Sequence, residues 1–144
     1  MNLKILMAFA GLTLGLGASA QKTIEWSDLT DVEFEETYYE RYDTKYFKPT
    51  FGESVKALDG EEIRISGYVI AVEAESGFYV LSANPYSACF FCGNAGPETV
   101  IELEFDGWPD AYETDTYKTF TGVLRLNSDD IFRLNYILSG VEEE

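Results

Sequence analysis

Three features of this 144-residue sequence predict a mainly β fold, a small barrel with a minor α part. Between Gly60 and Val141, apolar or alternating runs recur with short polar turns between them. The first run is long and changes character at Gly67, as a strand must if it bends to serve two sides of a barrel. Ahead of these runs lies a stretch crowded with aromatic rings, suited to plugging a barrel end. Together they read as a five-stranded Greek-key barrel of the OB type with an N-terminal aromatic-rich helical region. A small β-sandwich or an SH3-like barrel has a comparable strand number and is the main alternative.

The chain opens with Lys4, an apolar run from Ile5 to Gly17, and Ala18-Ser19-Ala20. These are the three parts of a secretory signal peptide, with cleavage near Ala20. The run is shorter than the ~20 residues needed to cross a bilayer, and no later run approaches that length. No cysteine follows the cleavage site to carry a lipid. A buried N-terminal helix is the competing reading. The expectation is an exported protein, periplasmic or secreted, made of residues 21–144.

Acidic side chains number 26 against 10 basic ones, for a formal net charge of −16. Such a surface repels phosphate backbones and anionic membranes, so nucleic acid is excluded as a partner. It attracts cations and basic partners, and it also serves plain solubility. The chain has no histidine, and both methionines, Met1 and Met7, fall in the leader. That removes Ser-His-Asp and Cys-His nucleophile systems and every imidazole ligand.

Residues 21–60 contain Trp26, Phe34, Tyr38, Tyr39, Tyr42, Tyr46, Phe47 and Phe51. Phe34, Tyr38, Tyr42 and Tyr46 recur every four positions, the spacing of one side of a helix. Val32 to Glu35 alternates as a strand would. Pro49 ends whatever precedes it. Phe51, Val55 and Leu58 then stand at i, i+4 and i+7 before Asp59-Gly60, which predicts a short helix with its stop. These rings are expected to pack on the barrel rather than to form a ligand platform.

Residues 61–144 carry the barrel. Ile63 and Ile65 alternate with charged neighbours, and after Gly67 the run Tyr68 to Val72 is apolar on both faces. Glu73 to Gly77 is a turn, and Phe78 to Ala83 is the hairpin partner. Thr99 to Phe105 alternates cleanly. Asp106 to Tyr117 is a polar connection where an OB barrel usually has a helix, so that helix is expected to be missing. Lys118 to Leu126 is the fourth strand, with Gly122 a second bend. Asn127 to Asp130 is a turn, Ile131 to Val141 the last strand, and Glu142 to Glu144 a solvated tail.

Both cysteines lie between the second and third barrel strands, in Asn84 to Glu98, spaced as Cys89-Phe90-Phe91-Cys92. Four readings compete. A structural disulfide suits an exported protein, yet so short a loop gains only about 2 kcal/mol, against ~4–5 for a long one. A thiol–disulfide oxidoreductase places its first cysteine at a helix N-terminus, whereas Gly93-Asn94-Ala95-Gly96-Pro97 cannot start a helix promptly. A divalent metal such as zinc can be shared by two thiolates, but a closed site needs two more donors. Glu98 is the nearest, and copper(I) would have no methionine to add. The fourth reading is a reduced, inert pair.

Other groups give less. Asp106, Asp110, Glu113 and Asp115 crowd one loop but lack EF-hand spacing, so they read as a solvated acidic loop. No carboxylate pair for glycoside chemistry stands out among so many acids. Arg64, Arg125 and Arg133 read as surface or ion-pair residues.

Leu58-Asp59-Gly60, Ile63 to Val69, Tyr79-Val80-Leu81, and Pro85-Tyr86-Ser87-Ala88-Cys89 resemble domain-of-unknown-function family 3299 of exported bacterial proteins. Cys89 to Glu98 resembles the variant seen in Bacteroidetes-type relatives. The resemblance covers most of residues 21–144 and implies an OB-like fold and an envelope location; it supplies no catalytic residues. Other branches follow the first cysteine with a histidine and a proline-rich run; Phe91 and Gly93-Asn94-Ala95-Gly96 occupy that region here, so a Cys-His ligand pair does not transfer. Some relatives are associated with metal-transport loci, which favours the metal reading.

The sequence therefore points to binding rather than catalysis. The first expectation is an exported protein holding a divalent metal, zinc foremost, through Cys89, Cys92 and Glu98. The alternative is an interaction module whose disulfide-fixed loop presents Phe90, Phe91 and Tyr86 to another envelope protein. A thiol–disulfide redox role is third.

Overall fold

The computed structural model describes residues 21–144, and the expected signal peptide lies outside the described residues. Three strands precede the barrel: β1 (Lys22–Thr23), β2 (Val32–Tyr39) and β3 (Thr44–Phe51). A one-turn helix follows, α1 (Glu53–Lys56). The barrel consists of β4 (Glu62–Glu73), β5 (Phe78–Ser82), β6 (Val100–Glu104), β7 (Tyr117–Leu126) and β8 (Tyr136–Glu143). Their order is β4-β5-β6-β8-β7, and β7 returns to pair with β4, so the sheet closes. Only the β6–β8 pairing is parallel within the barrel. The last strand lies between the third and fourth, which is the Greek-key order of an OB barrel. β1 adds to the outside of β4 in parallel.

One bend glycine sits where a strand changes partner and the other where a register slips. β4 pairs with β7 up to Tyr68 and with β5 from Tyr68 onward, so Tyr68 stands opposite both Tyr117 and Ser82. Gly67 lies at that corner, where a β-carbon would come within 2.6 Å of the Ser82 carbonyl oxygen. At Gly122 the β7–β8 register slips between Thr121 and Val123. A β-carbon there would meet the Ser139 carbonyl oxygen at 2.8 Å.

Alternation then fills the interior: Ile63, Ile65 and Val69 of β4 pack with Leu81, Ile101, Leu103, Phe120, Leu124, Tyr136 and Leu138. The doubly apolar part of β4 has a physical reason. Ile70 points outward and joins Val80 and Val100 in a second cluster on the outside of the barrel, covered by Phe78, Phe90 and Leu134.

One barrel end is plugged by N-terminal side chains, Ile24, Leu29, Val55 and Leu58, all in the main core. Val55 lies in the short helix foreseen, but that helix is one turn long, so Phe51 ends β3 and Leu58 falls in the turn after it. Asp31 organises the helix start, its carboxylate accepting from the Ser54 N–H (3.1 Å) and hydroxyl (2.6 Å). Those two bonds hold the Asp31 carboxyl below its ordinary range. Trp26 Nε1 donates to the Ser66 carbonyl at 2.8 Å. No helix occurs between β6 and β7; there Phe105 and Tyr112 pack against Phe120 instead.

The N-terminal region differs from expectation at its centre. Phe34 to Tyr46 is no helix but the antiparallel hairpin of β2 and β3, turned by Glu40–Tyr42 and by Asp43 in the left-handed region (φ 49°). A spacing of four is also a multiple of the strand period of two, so Phe34 and Tyr38 share a strand face as readily as a helix face. β-Branched and aromatic content then favours the strand. Pro49 sits within β3, opposite Phe34, rather than ending an element.

The last strand is also shorter at its start. Ile131 to Asn135 stays in a loop because the Asn127 side chain binds it, donating to the carbonyls of Asp130 (2.8 Å) and Leu134 (3.1 Å). At the other end Glu142 and Glu143 continue β8 opposite Thr121 and Phe120, so they are not a free tail. Glu144 meets Arg64 at 2.6 Å.

Arg133 behaves as the ion-pair residue foreseen. Its guanidinium donates to Glu102 Oε1 from Nε (2.9 Å) and Nη2 (2.6 Å), and Nη2 also reaches Glu104 at 2.6 Å. Glu102 is buried, and its other oxygen accepts the Leu134 N–H at 3.2 Å. Arg133→Gln is expected to cost on the order of 2 kcal/mol, because it strands a buried carboxylate. The Arg133 hydrogen bond holds the Glu104 carboxyl below its ordinary range. A depressed carboxyl contributes stability that is complete above the unfolded-state pKa and lost as pH falls through the lowered folded value. Urea titrations at neutral pH and near pH 4 should therefore show a smaller acid loss in the variant than in the parent.

Candidate functional site

The cysteine loop spans the β5–β6 connection and is closed at its base by the Ala83 N–H donating to the Thr99 carbonyl at 3.0 Å. Tyr86–Ala88 forms one turn and Phe90–Cys92 a second, with Cys89 extended between them. Gly93 ends the second turn in the left-handed region at φ 74°, where glycine carries no penalty. Internal bonds hold the rest. The Cys92 and Asn94 N–H groups both donate to the Cys89 carbonyl, at 3.2 and 3.4 Å. The Asn94 amide donates to the Ser87 carbonyl at 3.0 Å. From outside, Asp115 accepts the Tyr86 N–H at 2.7 Å. The acidic loop foreseen as solvated is thus tied to the barrel here, and the Asp115 N–H also donates to the Val69 carbonyl at 2.9 Å.

Both cysteines are free thiols; Cys89 is buried and Cys92 exposed. The Cys92 thiol donates to the Tyr86 carbonyl at 3.0 Å, tying the two turns together without a covalent link. Desolvation by the loop and the adjoining Cys89 thiol push the Cys92 pKa above its ordinary value. An attacking thiol needs the opposite shift.

Glu98 does not join the cysteines. Among the described residues no three Cys, Asp or Glu side chains are placed to share a metal ion. Pro97 starts a turn that packs against Trp26–Leu29 at the plugged end. The Glu98 carboxylate folds back over Gly96, where a β-carbon would lie 2.2 Å from Oε2. Six residues of sequence separation allowed a ligand set, but the Gly96-Pro97 turn carries the carboxylate away from it. The three residues expected to hold zinc are thus not brought together among the described residues.

The three aromatic side chains expected to meet a partner separate into two roles. Phe90 turns inward onto the outer apolar cluster. Tyr86 and Phe91 stay exposed, at 49% and 41%. With Ile70, Ala71, Val72 and Thr114 they line a shallow groove of about 330 Å³. Val72 is 43% exposed, a missed member of the site. The only trace of it in the sequence is the loss of alternation after Gly67. Exposed Trp108 and Phe132 were likewise not singled out.

A closed OB-type barrel with its outer apolar cluster covered by an aromatic cysteine loop is thus the class that fold and site define. This fold is similar to that of a solved DUF3299 family protein from Pseudomonas aeruginosa PAO1. The two agree with a TM-score of 0.52 over 87% of this chain and 97% of that one, at 16% identity. The likeness concerns the fold, and it accords with the family resemblance read in the sequence. No protein-family profile and no curated protein matches the chain.

Proposed function

We propose that this is an exported, non-catalytic binding protein of the cell envelope that meets a protein partner at its cysteine loop. The carrying observation is the groove where Tyr86, Phe91 and Val72 remain exposed side by side. Exposed aromatics grouped around a cleft are the usual anchors of a protein interface. Phe90, seated on Ile70, Val80 and Val100, anchors the loop beneath them. The three-part leader supports export, and the absence of histidine together with the raised Cys92 thiol supports binding over catalysis.

The test places a photo-crosslinking residue at position 91 or, as a control, at the exposed position 75, in the producing cell. A discrete adduct is expected from position 91 alone. Phe91→Ala and Tyr86→Ala should each weaken the captured complex about tenfold or more while leaving thermal unfolding unchanged. Equal labelling from position 75 would refute the reading. Stoichiometric zinc in protein purified under reducing conditions, lost in Cys92→Ser, would replace it with the metal reading.

A further inference from the structure

The β2–β3 hairpin forms a sheet of its own, with no ladder bond to the barrel. Two strands alone are marginal, and each has an outer edge of main-chain groups in need of partners. The edges differ. β3 carries buried Pro49 opposite Phe34. Proline has no N–H, so that pair is of the non-hydrogen-bonded kind, and the β3 edge lacks a donor there. By the alternation of an antiparallel ladder, the N–H and C=O groups of Phe34, Glu36 and Tyr38 then point away from β3. The Gly52 N–H donating to the Asp31 carbonyl at 2.7 Å sets the same phase, and no bond outside the ladder reaches the main chain of Phe34, Glu36 or Tyr38 among the described residues. No side chain of β2 is fully buried.

Its charge is one-sided. Glu33, Glu35 and Glu36 are exposed, with no basic residue in the strand. Glu36 pairs with Lys45 across the hairpin, while Glu33 and Glu35 have no ion pair among the described residues. A second copy of this chain would bring the same carboxylates against these, within a chain of formal charge −16.

We propose that the outer edge of β2 takes up an extended, lysine- or arginine-rich segment of a partner protein as a third strand. Main-chain bonds to Phe34, Glu36 and Tyr38 hold the segment, and Glu33 and Glu35 select its charge. This site is separate from the cysteine loop, and its failure would leave the reading of that loop standing.

The probe is a synthetic peptide of roughly ten residues alternating lysine and valine, with a glutamate–valine peptide as control, at about 150 mM salt to screen diffuse attraction. Hydrogen exchange of the Phe34, Glu36 and Tyr38 amides is expected to slow by about tenfold with the basic peptide only. Glu36→Pro removes one outward donor without touching the β2–β3 ladder and should abolish that protection. Combined Glu33→Gln and Glu35→Gln should weaken binding about fivefold, whereas Glu61→Gln with Glu75→Gln should not. Protection elsewhere, equal sensitivity to the control charges, or unchanged binding in the Glu33/Glu35 double variant each overturn the proposal, even if Glu36→Pro fails to fold. Protection of the same amides by self-association without peptide would assign the edge to a second copy instead.

Discussion

Tyr136→Ala is expected to lower the unfolding free energy by about 3–5 kcal/mol, the range for emptying a large aromatic site in a core. Tyr136 is fully buried at the start of β8. Its ring packs edge-on against Phe51 with centroids 5.6 Å apart. Its hydroxyl donates to the Leu29 carbonyl at 2.7 Å, across 107 positions of sequence. One side chain thus joins the last barrel strand to the N-terminal plug. Truncation removes the ring from the core and leaves a buried carbonyl without its donor. Tyr136→Phe separates these effects, and about 1 kcal/mol is expected from the hydrogen bond alone. Burial raises the phenol pKa well above its ordinary value, so the bond persists into alkaline solution. Urea unfolding of the three proteins checks both numbers. A neutral Tyr136→Phe would mean that another donor reaches Leu29.

Gly67→Ala should cost about 3 kcal/mol or more, at the upper end for overpacking. The added carbon would sit 2.6 Å from the Ser82 carbonyl oxygen and 3.0 Å from Trp26 Cζ2. Ser82 is held by pairing with Tyr68 on one side and Val100 on the other, so its backbone has little room to retreat. Two controls isolate the steric cause. Gly60→Ala meets nothing within 4 Å but occupies φ 81°, so only left-handed strain of about 1–2 kcal/mol is expected. Gly107→Ala meets nothing within 4 Å and has no positive φ, and should stay within about 0.5 kcal/mol of the parent. Thermal or denaturant unfolding of the set should rank Gly67→Ala worst. If Gly60→Ala were as damaging, the close approach at the corner would not be the controlling feature.

These two sites show how the sequence and the fold divide the information. Gly67 was visible in advance because alternation breaks there, and the break coincides with the change of partner from β7 to β5. The importance of Tyr136 was not visible, since nothing local to Ile131–Val141 announces a bond to Leu29. The helix expected at Phe34 to Tyr46 failed for a related reason. A four-residue spacing fits either period, and the ladder between β2 and β3 decided it.

The site followed the same division. The irregular cysteine loop and its aromatics could be read from Asn84 to Glu98, because glycine and proline act on their own neighbourhood. Which phenylalanine turns inward could not, because Phe90 answers to Ile70, Val80 and Val100 on three different strands. Glu98 was placed with the cysteines by proximity along the chain, yet the turn beginning at Pro97 packs against Trp26–Leu29 instead.

Strand alternation, bend glycines and turn chemistry are local, so residues 61–144 by themselves announce a five-stranded barrel. The hairpin, the burial of Phe90, the stranding of Glu98 and the bare β2 edge arise from contacts between distant segments. No window of sequence contains those contacts, and only the folded chain brings their partners within reach.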